Sequence, residues 1–384
     1  MMSDTAKAAK RKDARVELLR ILACLLVILM HVRTIAVLPD GTIADWALLA
    51  NMLSAPGVGL YFLICGCFIP RAPVFRAWKS FLLRILLPAF LFIIAADLLD
   101  GWLSGECGIL QSILSADIKG IAGGIVQGIL RADAWSLGRC TGHLWFLFSY
   151  FTIMLWMPLM HAVVMGKGEK ALLFFVILSI VSLLIVDYAT LFPVAFAIPM
   201  PQLPPWELMY AAAGYLLYQG IKRPSKTGFL CAAGLTVLMC VLMFFAQKAL
   251  YLKGLAEGGA PADVGLIPYY LNWLSGLCAV CAMAIAAAVF FLPEPEGKLH
   301  EVICTIGGVT YPVFLLHFPI IYKIRTLGLE NAGKNAFVAG GAAGNLLFTL
   351  LYTLVVFVIS GLLGYALQKL FGVLRKHLPV PEQG

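Results

Sequence analysis

Charged residues are scarce in this sequence. Only 12% of its 384 residues are Asp, Glu, Lys or Arg, whereas 61% are hydrophobic and the mean hydropathy is +0.93. A soluble domain carries about 25% charged residues. The composition therefore excludes a soluble domain and predicts an all-α polytopic membrane protein.

Metal-ligand spacing is also missing. The ten cysteines are spread along the chain, most of them inside apolar runs where small side chains pack. With only six histidines as further ligands, no zinc or iron site is predicted. Cys107 and Cys140 differ because they flank a long polar segment expected outside the cytoplasm, and the sequence leaves open whether they form a disulfide.

The Lys and Arg residues do not form a single basic patch, although the net charge is +8. They fall between apolar runs, so they indicate topology and not nucleic-acid binding. The chain also lacks a clear internal repeat of the kind that marks many secondary transporters.

Apolar runs of about 20 residues predict a bundle of about ten transmembrane helices. Because Lys and Arg gather at the two ends of the chain and in alternate loops, both termini are predicted to be cytoplasmic. The predicted regions are a basic leader (1–16), a transmembrane domain (17–372) with an extracytoplasmic loop at about 100–141, and a tail (373–384). The predicted spans are about 18–38, 46–69, 81–99, 143–164, 171–191, 206–220, 227–246, 264–292, 303–322 and 342–370.

Three local features refine this division. The first apolar run lacks a small-residue cleavage site and is expected to remain as an uncleaved span. Residues 51–59 form a patch that weakens a helix, because they include Pro56 and two glycines. Within the outer loop, residues 121–130 predict a short interfacial helix.

Two polar residues mark the first span. Arg20 and His31 are eleven residues apart, so they lie within about 20° of one helix face and about 16 Å apart along its axis. An arginine in hydrocarbon costs at least ~2.5–3.5 kcal/mol, and such groups usually face a bundle interior. Both side chains are therefore expected to face the same solvent-filled passage. Alternatively, Arg20 snorkels to the headgroups or pairs with Glu17, and His31 sits at the far headgroup level beside Arg33.

Further polar residues are expected at the two ends of the bundle. Cations near the inner ends of the spans suit phosphates, although topology alone also demands them there: Arg71, Arg76, Lys79 and Arg84. In the outer half, the candidates are aromatic and histidine side chains, for which a place in the interfacial belt is the alternative: His143, Trp145, Tyr150, Tyr311 and His317. Pro312 and Pro319 flank His317 and predict a deformed helix that lines a cavity.

Five segments in order resemble the acyltransferase 3 family of integral membrane acyltransferases. They are Glu17-x-x-Arg20 with His31, Gly57 to Gly66, Arg84 to Pro88, His143 to Leu147 and Tyr311 to His317. The resemblance implies a ten-helix enzyme that takes an acyl group, usually acetyl, from acyl-coenzyme A on the cytoplasmic side. It passes the group to a hydroxyl or amine of a cell-envelope molecule, typically a sugar.

Three positions depart from the family pattern. Phe81 stands where the family has the first arginine of an Arg-x-x-Arg motif, so Lys79 or Arg76 would have to substitute for it. Cys65 replaces a serine, and the segment from Trp145 to Ser149 lacks the carboxylate of the branch that acetylates polysaccharides. The chain thus resembles the stand-alone branch without a fused extracytoplasmic domain.

The resemblance implies a role for each candidate residue. His31 is the catalytic residue, as general base or as transient acyl carrier. The residues that bind the phosphates of the donor, acetyl-CoA, are Arg20, Arg84, Lys79 and Arg76. The residues that orient the acceptor or stabilise the oxyanion are His143, Trp145, Tyr311 and His317.

The predicted partners are acyl-CoA, an envelope glycan or small hydroxylated acceptor, and membrane lipid, with no nucleic acid and no metal. The predicted location is the inner membrane of a bacterium. A transporter or exporter, with His31 as a proton relay, is the competing class. A structural subunit of an envelope-polymer assembly is the third.

Overall fold

In the computed structural model, the chain is built from helices. The structure describes residues 12–32, 43–69, 73–131, 137, 140–191, 206–257, 275–337 and 340–377, and these contain no β-strand. The first half contains α1 (Ala14–Val32), α2 (Asp45–Ser54), α3 (Pro56–Gly66), α4 (Val74–Phe81), a π-helical segment (Leu82–Leu86), α5 (Leu87–Leu98), α6 (Asp100–Leu103), α7 (Ile109–Leu114) and α8 (Ile118–Arg131). The second half contains a 3-10 turn (Gly142–Leu144), α9 (Trp145–Met165), α10 (Glu169–Leu191), α11 (Trp206–Gly220), α12 (Lys226–Ala256), α13 (Gly276–Phe291), α14 (Gly297–Thr326), α15 (Leu329–Phe337) and α16 (Gly341–His377).

Seven stretches of the described chain are helices long and apolar enough to cross a membrane. They are 45–66, 74–98, 142–165, 169–189, 226–256, 297–326 and 341–369. The other three predicted spans correspond to α1, α11 and α13, which are not in this set. Helix α1 carries three charges within its 19 residues, and α11 and α13 are shorter than the others, with 15 and 16 residues. The all-helical class is confirmed, whereas the total of about ten spans and the side of each terminus stay predictions.

Several predicted boundaries shift in the structure. Helix α4 begins at Val74, so Arg76 and Lys79 lie in a helix and not in the predicted loop. Helix α12 continues to Ala256 and α16 to His377, beyond the predicted ends at 246 and 370. The predicted outer loop contains α6, α7 and α8, and α8 includes the short helix expected at 121–130.

The helix-weakening patch is confirmed as a break between α2 and α3. Helix α2 ends at Ser54 and α3 begins at Pro56, with Ala55 between them. Proline has no N–H group, so Pro56 cannot bond to the carbonyl of Met52 one turn earlier.

The helices separate into an inner and an outer set. In the 45–66 span, 72% of the most apolar window is buried inside the protein, compared with 22% in the spans 74–98, 169–189 and 226–256. The exposed surface of α10, α12 and α16 is rich in leucine, isoleucine, valine and phenylalanine. An apolar exterior around a buried interior is the arrangement expected of helices in lipid.

Helix α1 lies at the centre of the inner set. It packs against α14, α3 and α16, and α3 packs in turn against α11 and α13. Gly57 permits one of these close approaches, because a Cβ atom there would lie 2.8 Å from Leu26 Cβ and 3.1 Å from Val27 N. Helix α3 thus contacts α1 along the interval between Arg20 and His31.

Glycines also join α3 to α11 backbone to backbone. A Cβ atom on Gly66 would overlap the Ala211 carbonyl, and one on Gly214 would overlap the Leu63 carbonyl. Small residues at helix crossings are the usual means by which membrane helices pack closely.

Candidate active site

Three predicted site histidines meet inside the bundle. His31 lies near the end of α1, His143 in the 3-10 turn and His317 in α14. The ring centroid of His317 is 5.2 Å from that of His31 and 5.0 Å from that of His143. Phe318 packs against His31 at 5.1 Å and against His143 at 5.2 Å. Segments far apart in sequence thus form one cluster of imidazoles.

The ring of His317 is held by its own helix. It is 0% exposed, and its Nδ1 atom lies 2.7 Å from the Phe314 carbonyl oxygen and 3.2 Å from that of Val313. Because a carbonyl only accepts, Nδ1 carries a proton, and in the neutral ring Nε2 presents a lone pair. This hydrogen bond fixes both the tautomer and the orientation of the ring.

The cluster contains buried nitrogen atoms whose hydrogen bonds are not completed by the described chain. They are Nε2 of His317 and the ring nitrogens of His143, a residue that is 3% exposed and has only weak contacts with the Phe314 and Leu315 backbone. Buried polar atoms in native proteins are almost always hydrogen-bonded. The cluster is therefore suited to a polar ligand.

Two prolines flank His317, as the sequence shows, but α14 remains helical from Gly297 to Thr326. Pro312 removes the donor that would bond to the Gly308 carbonyl, and Gln368 of α16 donates to that oxygen at 3.3 Å instead. The expected deformation is therefore compensated by a neighbouring helix.

Arg20 lies one helical turn from a buried carboxylate. Its Nη1 atom donates to both carboxylate oxygens of Glu17, at 2.8 and 3.0 Å, and its guanidinium lies 5.1 Å from the centroid of the Phe68 ring. The alternative interpretation of Arg20 as the partner of Glu17 is thus what the structure contains. The Arg20 side chain is 29% exposed, and its Nε and Nη2 atoms have no hydrogen-bond partner in the described chain. These two groups remain available for an anion.

Aromatic rings link the surroundings of Arg20 to the histidine cluster. The ring of Tyr61, in α3 next to α1, is 6.2 Å from that of Phe314 and 5.6 Å from that of Phe146. Phe314 in turn contacts His143 at 5.5 Å and His317 at 6.0 Å. The interval that was expected to be a solvent-filled passage is therefore lined by apolar rings.

The remaining predicted donor-binding residues lie apart from these groups. The side chains of Arg76, Lys79 and Arg84 are exposed, and no hydrogen bond or ion pair holds them within the described chain. Arg84 belongs to the π-helical segment, a type of distortion that is frequent at functional sites. Their proposed role stays a prediction, while Arg71 and Arg33 lie outside the described residues.

Two further candidates, Tyr311 and Trp145, have defined positions in the structure. The Tyr311 hydroxyl donates to the Ile85 carbonyl of the π-helical segment at 2.5 Å, so it ties α14 to that distortion. Trp145 is the first residue of α9, next to the turn that carries His143. The centroid of its ring lies 6.5 Å from that of the Phe146 ring. Both line the periphery of the cluster.

Cys107 and Cys140 do not form a disulfide with each other in the structure. No group of His, Cys, Asp and Glu side chains within the described part of the chain is arranged to hold a metal ion.

The structure reveals a charged network that the sequence analysis missed. Arg325 donates to the carbonyl oxygen of His31 at 3.0 Å and pairs with Glu330 at 2.6 Å. Glu330 also pairs with Lys334 at 2.7 Å and accepts a hydrogen bond from the Tyr352 hydroxyl at 3.4 Å. The network satisfies a carbonyl at the end of α1 and thereby fixes the backbone of His31. Only the spacing of Glu330 and Lys334, one helical turn apart, could have indicated it.

The Glu330 network should make the stability of the protein sensitive to acid. Burial alone would raise the pKa of Glu330, but hydrogen bonds from Lys334 and Arg325 outweigh this effect and lower the pKa below its usual 4.5. A lowered carboxyl pKa stabilises the fold above pH 4.5, and that contribution is lost as the pH falls below this value. We expect Glu330→Gln to destabilise the protein by about 1–3 kcal/mol at neutral pH. Thermal unfolding should show that the difference from wild type shrinks in acid.

Glu301→Gln is the matched control for this substitution. Glu301 is an exposed carboxylate of α14 for which the described chain provides no ion pair, so its variant should unfold like the wild type at every pH. A difference between Glu330→Gln and wild type that stays constant from neutral pH to well below pH 4.5 would contradict the prediction.

The fold and the cluster together define a class. The chain is a multi-pass membrane protein with apolar spans and a buried group of imidazoles. A family model described as an acyltransferase domain matches residues 13–365, nearly the whole chain. The protein therefore belongs to the acyltransferase 3 family, as the sequence motifs predict. Neither the curated proteins nor the solved structures that were compared with the chain give a match.

Proposed function

We propose that this protein transfers an acetyl group from acetyl-CoA, bound from the cytoplasm, to a hydroxyl group of an extracytoplasmic acceptor such as an envelope sugar. The observation that carries the proposal is the meeting of His143 and His317 with His31 at the end of α1, the helix that also carries Arg20. The proposed location is the inner membrane of a bacterium.

Arg20 is the proposed contact for the phosphates of the donor. Its Nε and Nη2 groups have no hydrogen-bond partner among the described residues, while Glu17 holds the guanidinium in position through Nη1. A guanidinium with two available N–H groups suits a phosphate. Arg76, Lys79 and Arg84, which are exposed, would attract the polyanionic donor from solution.

The pantetheine arm of the donor would connect the two ends of α1. Arg20 and His31 are separated by about 16 Å along the helix axis, a distance that the arm can span. The thioester then lies near the histidine cluster while the nucleotide remains near the cytoplasmic end. This arrangement requires only the acyl group to reach the outer half of the bilayer.

In the proposed reaction, His31 is neutral at the start and acts as the general base. Its ring accepts the proton of the acceptor hydroxyl as the oxygen attacks the thioester carbonyl, and a tetrahedral intermediate forms. The intermediate collapses with cleavage of the carbon–sulfur bond, and the protonated ring returns its proton to the leaving thiolate of CoA. An ester of the acceptor and free CoA thiol are the products.

His317 and His143 would support His31 in this step. The lone pair of His317 Nε2 would accept a hydrogen bond from His31 and orient it, as a third group orients the base in other acyl transfers. His143, whose two ring nitrogens are buried and make no hydrogen bond of good geometry in the described chain, would contact the acceptor or the oxyanion. Trp145 and Tyr311 would shape the acceptor end of the site.

The test uses purified full-length protein in lipid nanodiscs. CoA should raise the melting temperature, whereas adenosine, which lacks phosphates, should not. Acetyl-CoA labelled in the acetyl group should then transfer label to isolated bacterial envelope glycans and release CoA. Uptake of glycan into vesicles without acetyl-CoA, together with no stabilisation by CoA, would instead indicate a transporter.

A further inference from the structure

Tyr61 of α3, which lies within the segment from Gly57 to Gly66, has a buried hydroxyl group to which the mechanism gives no role. Its oxygen is shielded from solvent and has no hydrogen-bond partner of good geometry in the described chain. The neighbouring group is Cys24 Sγ, a weak acceptor for the phenol, and the thiol itself is directed to the Thr310 carbonyl at 3.9 Å. The phenol thus lacks a strong acceptor within the described part of the bundle.

Packing does not require this oxygen. The ring of Tyr61 contacts Phe146 and Phe314, and its neighbours along the chain are Leu60 and Phe62. A phenylalanine would make the same ring contacts without burying a polar atom. A buried hydroxyl whose only neighbour is a weak acceptor costs stability, so its presence at this position points to a ligand with a stronger acceptor.

The location of Tyr61 limits what that ligand can be. Cys24 lies four residues after Arg20 and seven residues before His31 on the same face of α1, so the neighbouring phenol sits about 6 Å above Arg20 along the axis. It therefore lies beside the middle of the donor and not at the thioester. The groups of acyl-CoA in that interval are the amides and methyl groups of the pantetheine arm.

We propose that the Tyr61 hydroxyl binds the pantetheine arm by donating a hydrogen bond to an amide carbonyl. The rings of Phe146 and Phe314 would pack against the apolar parts of the same arm. Tyr61 is thus a specificity determinant that recognises pantetheine thioesters, and the assignment rests on the proposed function.

Tyr61→Phe tests the assignment because it removes a single oxygen. We expect the variant to bind CoA about 3- to 10-fold more weakly, the effect of losing one hydrogen bond between uncharged groups. Binding of 3′-phosphoadenosine 5′-diphosphate, the nucleotide part of CoA without the arm, should be unchanged. Turnover at saturating acetyl-CoA should remain within about twofold of wild type, and the melting temperature without ligand should not fall.

Tyr251→Phe is the control for loss of a buried phenol. The Tyr251 hydroxyl accepts a hydrogen bond from the Ile43 backbone N–H at 2.8 Å, in a separate cluster with Trp46 and Leu48. This variant should lose thermal stability and keep the CoA affinity of the wild type. Comparison of the two variants therefore distinguishes a role in binding the pantetheine arm from a role in stabilising the fold.

Several outcomes would overturn the assignment. Unchanged CoA affinity in Tyr61→Phe, or equal weakening of CoA and its nucleotide part, would show that the hydroxyl does not contact the arm. A fall in turnover at saturating donor with unchanged affinity would place it at the thioester instead. A wild-type protein that binds no CoA would overturn the proposed function and this assignment with it.

Discussion

Replacing His31 with glutamine is expected to lower the rate of acetyl transfer at least about a hundredfold, the usual contribution of a general base. Glutamine keeps a polar side chain of similar size against His317 and Phe318 but cannot take up the acceptor proton. Because the proposed contact for the donor phosphates is at the other end of α1, affinity for CoA should stay within about threefold of wild type. Single-turnover assays with labelled acetyl-CoA and equilibrium binding of CoA measure the two effects separately.

His161→Gln provides the control within the same bundle. His161 lies in α9, and its Nδ1 atom is 3.2 Å from the Ile69 carbonyl oxygen, away from the cluster. This variant should transfer acetyl at nearly the wild-type rate. If correctly folded His31→Gln also retains that rate, His31 is neither the base nor an acyl carrier.

The second large effect concerns the fold. Gly66→Ala should destabilise the protein by at least about 3 kcal/mol, since overpacking inside a packed core commonly costs 1–3 kcal/mol and here the obstacle is rigid backbone. The new Cβ atom would overlap the carbonyl of Ala211, so α3 and α11 would have to move apart. The yield of monodisperse protein in detergent and the midpoint of thermal unfolding should both fall.

Gly234→Ala is the matched substitution at an open position. Gly234 lies within α12, and no atom lies within 4 Å of the place where its Cβ atom would stand. Alanine favours a helix over glycine by about 1 kcal/mol, so this variant should be as stable as the wild type or more so. Equal stability of Gly66→Ala and Gly234→Ala would show that the close contact between α3 and α11 does not limit stability.

The sequence predicts the helical class well because long apolar runs leave few alternatives in lipid. It predicts α11 from Trp206 to Gly220 with the bounds that the structure has. Helix ends that continue into water are harder, since amphipathic segments such as α4 and the end of α12 carry no apolar run. Composition alone therefore does not define where those helices stop.

The sequence predicts the residues of the candidate site one by one, but it does not predict how they are arranged in space. Spacing along one helix places Arg20 and His31 on a common face, and it also places Glu17 within reach of Arg20. No spacing relates His143 to His317, because their contact depends on how α9 and α14 pack. The role of Arg325 at the carbonyl of His31 depends likewise on tertiary structure.

The layer formed by Tyr61, Phe146 and Phe314 has a consequence for the membrane itself. If the donor and acceptor bind from opposite sides of a bilayer, as proposed, the protein must not become a leak, because each 100 mV of membrane potential drives an elementary charge with about 2.3 kcal/mol. Three aromatic rings in mutual tilted or edge contact present hydrocarbon where a water wire would otherwise form. Such an insulating septum would let an uncharged acyl group pass between compartments while the proton gradient is preserved.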